Sequence, residues 1–122
     1  MVGGRSARQR SAQAALKVHV EFHPAADKEV DAAVEWYEVQ LSGLGAEFFA
    51  ELGRALGMLT ESPRSWPLWP GARTESLGIR RFLMRRFPFA LPYLVVEERI
   101  IVLAVAHVRR RPGYWLRRIP VL

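Results

Sequence analysis

IRRFLMRRFPFALPYLVVEERIIVLAVAHVRRRPGYW, residues 79–115, carries the strands around which the rest of the chain folds. It contains the most apolar run of the chain, Ile100 to Ala106, and is rich in the β-branched and aromatic residues that suit strands. It reads as three strands, over 79–87, 90–96 and 100–108, with Glu97-Glu98-Arg99 as the hairpin turn between the last two. Pro92 lacks the N–H that a ladder needs, so its strand should be an edge or carry a bulge. In the third strand Ile101, Leu103 and Val105 alternate with Val102, Ala104 and Ala106. Both sets are apolar, so this strand should be central and covered on both faces.

Outward from this block, Lys17 to Phe22 alternates polar and apolar residues, the period of a half-buried strand. Pro24 suits the first turn of a helix, where its missing N–H costs nothing, and Asp27, Glu29 and Asp31 favour a nearby helix N-terminus. Ala26, Val30, Ala33, Val34, Tyr37 and Leu41 form one helical stripe, and Phe48, Phe49, Leu52, Leu56 and Leu59 form a second. Ser42-Gly43-Leu44-Gly45 separates them and Ser62-Pro63 ends the second, so the two helices should make an antiparallel hairpin. That hairpin can cover one face of the sheet. The other face needs another cover, a partner being one option. Gly53 and Gly57 read as a smooth surface for close packing, residues 63–77 as loop, and Trp66 and Trp69 as a lid over the core edge.

The expected fold class is therefore α+β: an N-terminal strand, a helical hairpin, a three-stranded antiparallel meander in one sheet, and a short C-terminal tail or helix. Residues 17–122 form one domain, and residues 1–16, with three arginines and no acid, read as a disordered basic tail.

At 122 residues, half of them hydrophobic, the chain can bury one core. It has no cysteine, which excludes disulfides and thiolate metal sites and fits a reducing cytoplasm. No apolar stretch is long enough to span a membrane. The charge is divided: residues 17–62 carry three basic residues against nine acids, −6, whereas residues 63–122 carry twelve arginines against three acids, +9. A basic half of this kind points to an anionic partner.

Taken together, VEFHPAADKEVDAAVEWYE (20–38) and RRFLMRRFPFALPYLVVEERIIVLAVAHVRRRPGYW (80–115) resemble the RelE/ParE superfamily of toxins from bacterial type II toxin–antitoxin systems. The likeness covers residues 18–117 and is greatest to the ParE-like, plasmid-stabilisation branch. It rests on Arg86-Phe87-Pro88-Phe89, the apolar strand ending at His107, and Arg109-Arg110-Arg111-Pro112-Gly113-Tyr114-Trp115. The resemblance implies a growth inhibitor held silent by a cognate antitoxin that covers its basic face. It implies DNA gyrase as the target in the ParE branch, or mRNA on the ribosome in the RelE branch. Tyr93 stands near an aromatic position of many relatives, whereas Pro92 departs from the usual strand.

RNA cleavage needs a base, an acid and phosphate-binding cations. Arg85, Arg86, Arg109, Arg110 and Arg111 can bind anions, but arginine stays protonated and is a poor proton shuttle. His107 and Tyr114 are the candidate catalytic groups. Each also has a plain structural reading, His107 as a strand-end histidine and Tyr114 as packing at the core edge. The incomplete acid/base set favours a gyrase inhibitor over a nuclease, with a non-toxic basic interaction module as a third reading. No cofactor and no metal are expected: His19, His23 and His107 lack metal-ligand spacing, and there is no Gly-rich phosphate loop.

Overall fold

The computed structural model describes residues 19–119, so the basic tail over 1–16 lies outside the described residues. Strand β1 (His19–Phe22) leads into helices α1 (Pro24–Gln40) and α2 (Leu44–Glu61). A short helix α3 (Ala72–Leu77) precedes β2 (Arg80–Leu83), β3 (Phe89–Val96), β4 (Arg99–Val102) and β5 (Ala106–His107), and a 3-10 helix closes the chain at Tyr114–Arg118. The sheet order is β1-β4-β3-β2, with β5 also on β3. β2, β3 and β4 form the expected antiparallel meander, and β1 pairs parallel to β4, which makes the sheet mixed. Glu21 on β1 and Arg99 on β4 close a two-bond fork at 2.9 Å across that parallel pair. The fork holds the Glu21 carboxyl below its ordinary pKa.

Pro24 does open α1, with His23 as the preceding cap, its Nδ1 accepting the Ala25 N–H at 3.0 Å. Burial, followed by the nearby Arg118 charge, keeps the His23 pKa below its usual value. Gly43, at φ 91°, lets the chain reverse between α1 and α2, and the Glu38 carboxylate accepts the N–H groups of Gly43 and Gly45. The close approach of the two helices is at Gly45, where a Cβ would lie 2.6 Å from the Val34 carbonyl oxygen. Gly53 and Gly57 do not have the packing role expected of them, since a Cβ at either would meet open space. Gly53→Ala and Gly57→Ala should therefore each stabilise α2 by about 1 kcal/mol, read as a higher urea midpoint with an unchanged slope.

The two faces of the sheet bury separate clusters. Val30, Phe48, Leu52, Leu56 and Leu59 of the hairpin pack on Val20, Phe82, Leu91, Tyr93, Ile100 and Val102. Tyr93 is fully buried; its hydroxyl donates to the Pro63 carbonyl at 2.6 Å, and burial pushes its pKa up to about 12. The opposite face, carrying Ile101, Leu103, Ala104 and Ala106, is covered from within the chain by Trp115, Trp69, Leu116 and Ile119. A partner is not needed to cover it. Trp66 packs edge-on against Phe82 on one face and Trp69 against Trp115 on the other, so each tryptophan lids a different cluster.

Three local expectations are corrected. The segment expected to be loop contains α3, too short at six residues to show a period; its Thr74 hydroxyl donates to the Trp69 carbonyl at 2.7 Å. The first meander strand stops at Leu83 rather than at 87, because residues 84–88 turn the chain into β3, with the Met84 N–H donating to the Phe89 carbonyl.

The third correction is the last strand, which is two strands rather than one. Tyr93 pairs with Val102 but Ala90 pairs with Ala106, so residues 103–105 stand opposite only Leu91 and Pro92. The extra residue is a bulge, and it reverses the alternation. Val105 joins the hairpin-side cluster with Ile100 and Val102, whereas Ala106 joins Ile101 and Leu103 on the other face. Pro92 is thus on an interior strand, opposite a bulge. The Leu103 N–H donates to the Pro92 carbonyl at 2.8 Å, but proline has no N–H to return to Leu103.

Candidate functional site

The bulge exposes two backbone groups that the ladder would otherwise use, and side chains from distant parts of the chain take them. The Leu103 carbonyl accepts from Arg118 Nη1 at 2.8 Å, and the Val105 N–H donates to Glu29 Oε1 at 2.9 Å. Glu29 lies on α1, where its carboxylate also accepts both Arg118 Nη1 (3.1 Å) and Nη2 (2.8 Å). The Tyr114 hydroxyl donates to the same carboxylate at 2.7 Å. Only 16 % of the Glu29 side chain and 13 % of the Arg118 side chain are exposed. This fork ties the hairpin, the strand break and the C-terminal 3-10 helix into one unit. A bidentate, water-shielded pair of this kind is strong and directional.

From this anchor the cationic end is built outward. β5 ends at His107, and the Val108 N–H donates to the Pro88 carbonyl at 2.9 Å, so the turn after β5 lies beside the β2–β3 turn. Arg85 and Arg86 of one turn and Arg109, Arg110 and Arg111 of the other are all exposed and meet at one end of the sheet. Two of the five are engaged within the chain. Arg86 pairs with Glu47 at 2.7 Å and lies over the Phe87 ring. Arg110 lies 3.7 Å from the Tyr114 ring centroid and reaches Glu29 at 3.5 Å. Among the described residues, the side chains of Arg85, Arg109 and Arg111 have no hydrogen bond or ion pair.

Of the two candidate proton-transfer groups, Tyr114 is the more constrained. Burial, and then the Glu29 carboxylate beside it, push its hydroxyl pKa upward. A tyrosine whose proton is already donated to a carboxylate, under two guanidinium groups, is suited to bracing Arg110 rather than to giving up that proton. His107 is partly exposed, packs edge-on against Phe89 at 5.2 Å, and accepts the Arg109 N–H on Nδ1 at 3.1 Å. That bond places the proton of the neutral ring on Nε2. Among the described residues no group of His, Cys, Asp and Glu could hold a metal ion, and no helix is long and apolar enough to cross a membrane.

Glu29 is the residue the sequence did not single out. It appears there only as one of three acids near a helix start, and its partners lie 76 to 89 positions away. The one local hint was Pro92, whose missing donor implies that some carbonyl must find another partner.

Comparison with known proteins agrees with this architecture. Residues 20–112 match the family model described as ParE toxin of type II toxin-antitoxin system, parDE. Among solved structures, the chain is similar to one described as the chromosomal ParDE TA system from P. aeruginosa, with a TM-score of 0.63 and 19% sequence identity. That alignment covers 75% of this chain and 97% of the other, and it is a likeness of fold. No curated protein sequence matches. With the family model spanning the sheet, the helical hairpin and the arginine run, this chain belongs to the ParE toxins of type II toxin–antitoxin systems.

Proposed function

We propose that this toxin arrests growth by inhibiting DNA gyrase through the cationic end of its sheet, and that a cognate antitoxin neutralises it. The observation that carries this reading is the division of labour at that end. Arg85, Arg109 and Arg111 are exposed without partners among the described residues, while the Tyr114 hydroxyl is committed to Glu29. Exposed cations that repel one another gain little until an anionic surface meets them, so the arrangement serves binding better than proton transfer. Beside it, Trp36 of α1, 58 % exposed, lines a groove together with Pro88, His107 and Arg110. An exposed apolar ring next to a basic edge suits a protein partner.

The test is direct. Purified toxin should inhibit gyrase supercoiling and raise gyrase-linked DNA breaks, and Arg109→Ala combined with Arg111→Ala should weaken both about tenfold or more, in keeping with the loss of charge-assisted contacts. Unchanged supercoiling and breaks would remove gyrase as the target. Cleavage of mRNA on programmed ribosomes, lost in His107→Ala, would put a ribosome-dependent endonuclease in its place. In cells, induction should stop growth and co-expression of the adjacent small gene should restore it. Normal growth on induction would leave a basic interaction module instead.

A further inference from the structure

On the sheet face away from the hairpin, a cleft of about 160 Å³ opens between β2, β5 and the C-terminal 3-10 helix. Its polar lining is rich in donors: Arg81, Arg110 and Arg111 contribute guanidinium groups, Trp69 and Trp115 contribute indoles, Tyr114 contributes its hydroxyl, and among the described residues no carboxylate borders it. His107 also faces it, with its Nδ1 already accepting the Arg109 N–H, so the ring nitrogen left over carries a proton. Two of these donors, Arg81 Nε and Trp115 Nε1, are buried with no hydrogen-bond partner among the described residues. Buried donors are almost always satisfied, because leaving one unpaired costs its full desolvation. Both belong to residues lining this cleft beside the Arg110 and Arg111 guanidinium groups, so an acceptor carrying negative charge that entered it would meet cations at its wall and unsatisfied donors just beneath.

We propose that this cleft binds the carboxylate of an aspartate or glutamate side chain in an acidic–apolar peptide segment of a protein partner. Size and lining select the ligand. A volume of about 160 Å³ is below that of sites enclosing a drug-sized molecule, roughly 300 Å³ and upward, and has room for a carboxylate with its side-chain stem. The rest of the wall is apolar, and its rim includes Leu83 and Val108, 53 % and 54 % exposed. Nucleic-acid phosphates are met by polar, hydrated surfaces, whereas an apolar rim around a cationic floor fits aliphatic residues flanking a single acid. The proposal does not rest on gyrase as target: Arg111 borders both the cleft and the cationic end, but Arg81 belongs to the cleft alone and Arg85 and Arg109 do not line it.

The test is NMR titration of the ¹⁵N-labelled full chain with the blocked peptide Ac-Ala-Leu-Glu-Leu-Ala-NH₂, its Gln counterpart, and a five-residue thymidine oligonucleotide. The Glu peptide should shift the Trp115 indole N–H and the Arg81 Nε–H, the Gln peptide should bind about tenfold more weakly, and the oligonucleotide should leave both signals in place. Arg81→Gln should reduce Glu-peptide affinity about tenfold. Arg111→Gln, at an exposed turn residue that cannot disturb the core, should give a smaller loss of the same sign. Equal affinity for the Glu and Gln peptides would overturn the proposal. So would an oligonucleotide that shifts the two cleft signals at lower concentration than the Glu peptide, which would assign the cleft to phosphate.

Discussion

Glu29→Ala is expected to lower the unfolding free energy by about 3–5 kcal/mol, the range for breaking a buried charge pair from one side. The substitution strands several groups at once. Arg118, whose side chain is 13 % exposed, keeps its charge but loses the bidentate partner. The Val105 N–H loses its acceptor, and the Tyr114 hydroxyl loses its own. Against a typical total stability of about 5–15 kcal/mol, this is a large fraction. Glu29→Gln separates charge from hydrogen bonding, because an amide oxygen still accepts from Val105 or Tyr114 but cannot neutralise Arg118. It should cost clearly less than alanine. Urea denaturation gives the energies, and amide exchange at Val105 reports where the loss falls: exchange there should rise more than in α2. Equal stability of wild type and Glu29→Ala would mean that the fork does not hold the strand break.

Trp115→Ala is expected to cost a further large amount, about 3–5 kcal/mol, as for other large aromatic truncations in cores. Trp115 is fully buried and is the largest side chain of the cluster that closes the sheet face opposite the hairpin. Its ring packs edge-on to Trp69 at 4.9 Å and lies over Ile101, Leu103, Ala104 and Ala106. Removing it leaves a cavity under a 3-10 helix of only five residues, too short to persist without its anchor. Trp115→Phe keeps much of the ring contact and should cost well under the alanine value. The measurement is again the urea midpoint, with Trp69 fluorescence reporting the loss of its neighbour. The Glu29 and Trp115 effects should not add, since both act on the attachment of the same C-terminal segment. The double variant is expected to lose less than the two single losses combined.

Both predictions concern features unequally visible in the sequence. The hairpin was legible because each stripe repeats within its own helix: Val30 and Ala33, then Phe48, Leu52, Leu56 and Leu59, are buried as the period requires. The meander was legible because alternation and the Glu97-Glu98 turn are local; Val96 pairs with Arg99 across those two residues, with Glu97 at φ 56°. The arginines were legible as charge, and Pro92 as an irregularity. Alternation through 100–108 could not be carried past residue 103, since one inserted residue changes the face of everything after it. The self-cover of the second face was equally hidden, because Trp69 and Trp115 are 46 positions apart and nothing local relates them.

Local pattern specified the class of fold, the side of each helix that is buried and the concentration of cations in the second half, because spacing and composition between neighbouring residues suffice to express them; the resemblance to ParE toxins rested on particular motifs, Arg86-Phe87-Pro88-Phe89, the strand ending at His107 and the 109–115 run. Where the last strand breaks, how Glu29 mends the break with Arg118 and Tyr114, and that the arginines of two separate turns share one end of the sheet emerged only from the folded chain. A carboxylate's partner is chosen by what lies within about 3 Å of it in space. For Glu29 those groups come from residues 105, 114 and 118, and no local pattern around position 29 specifies them.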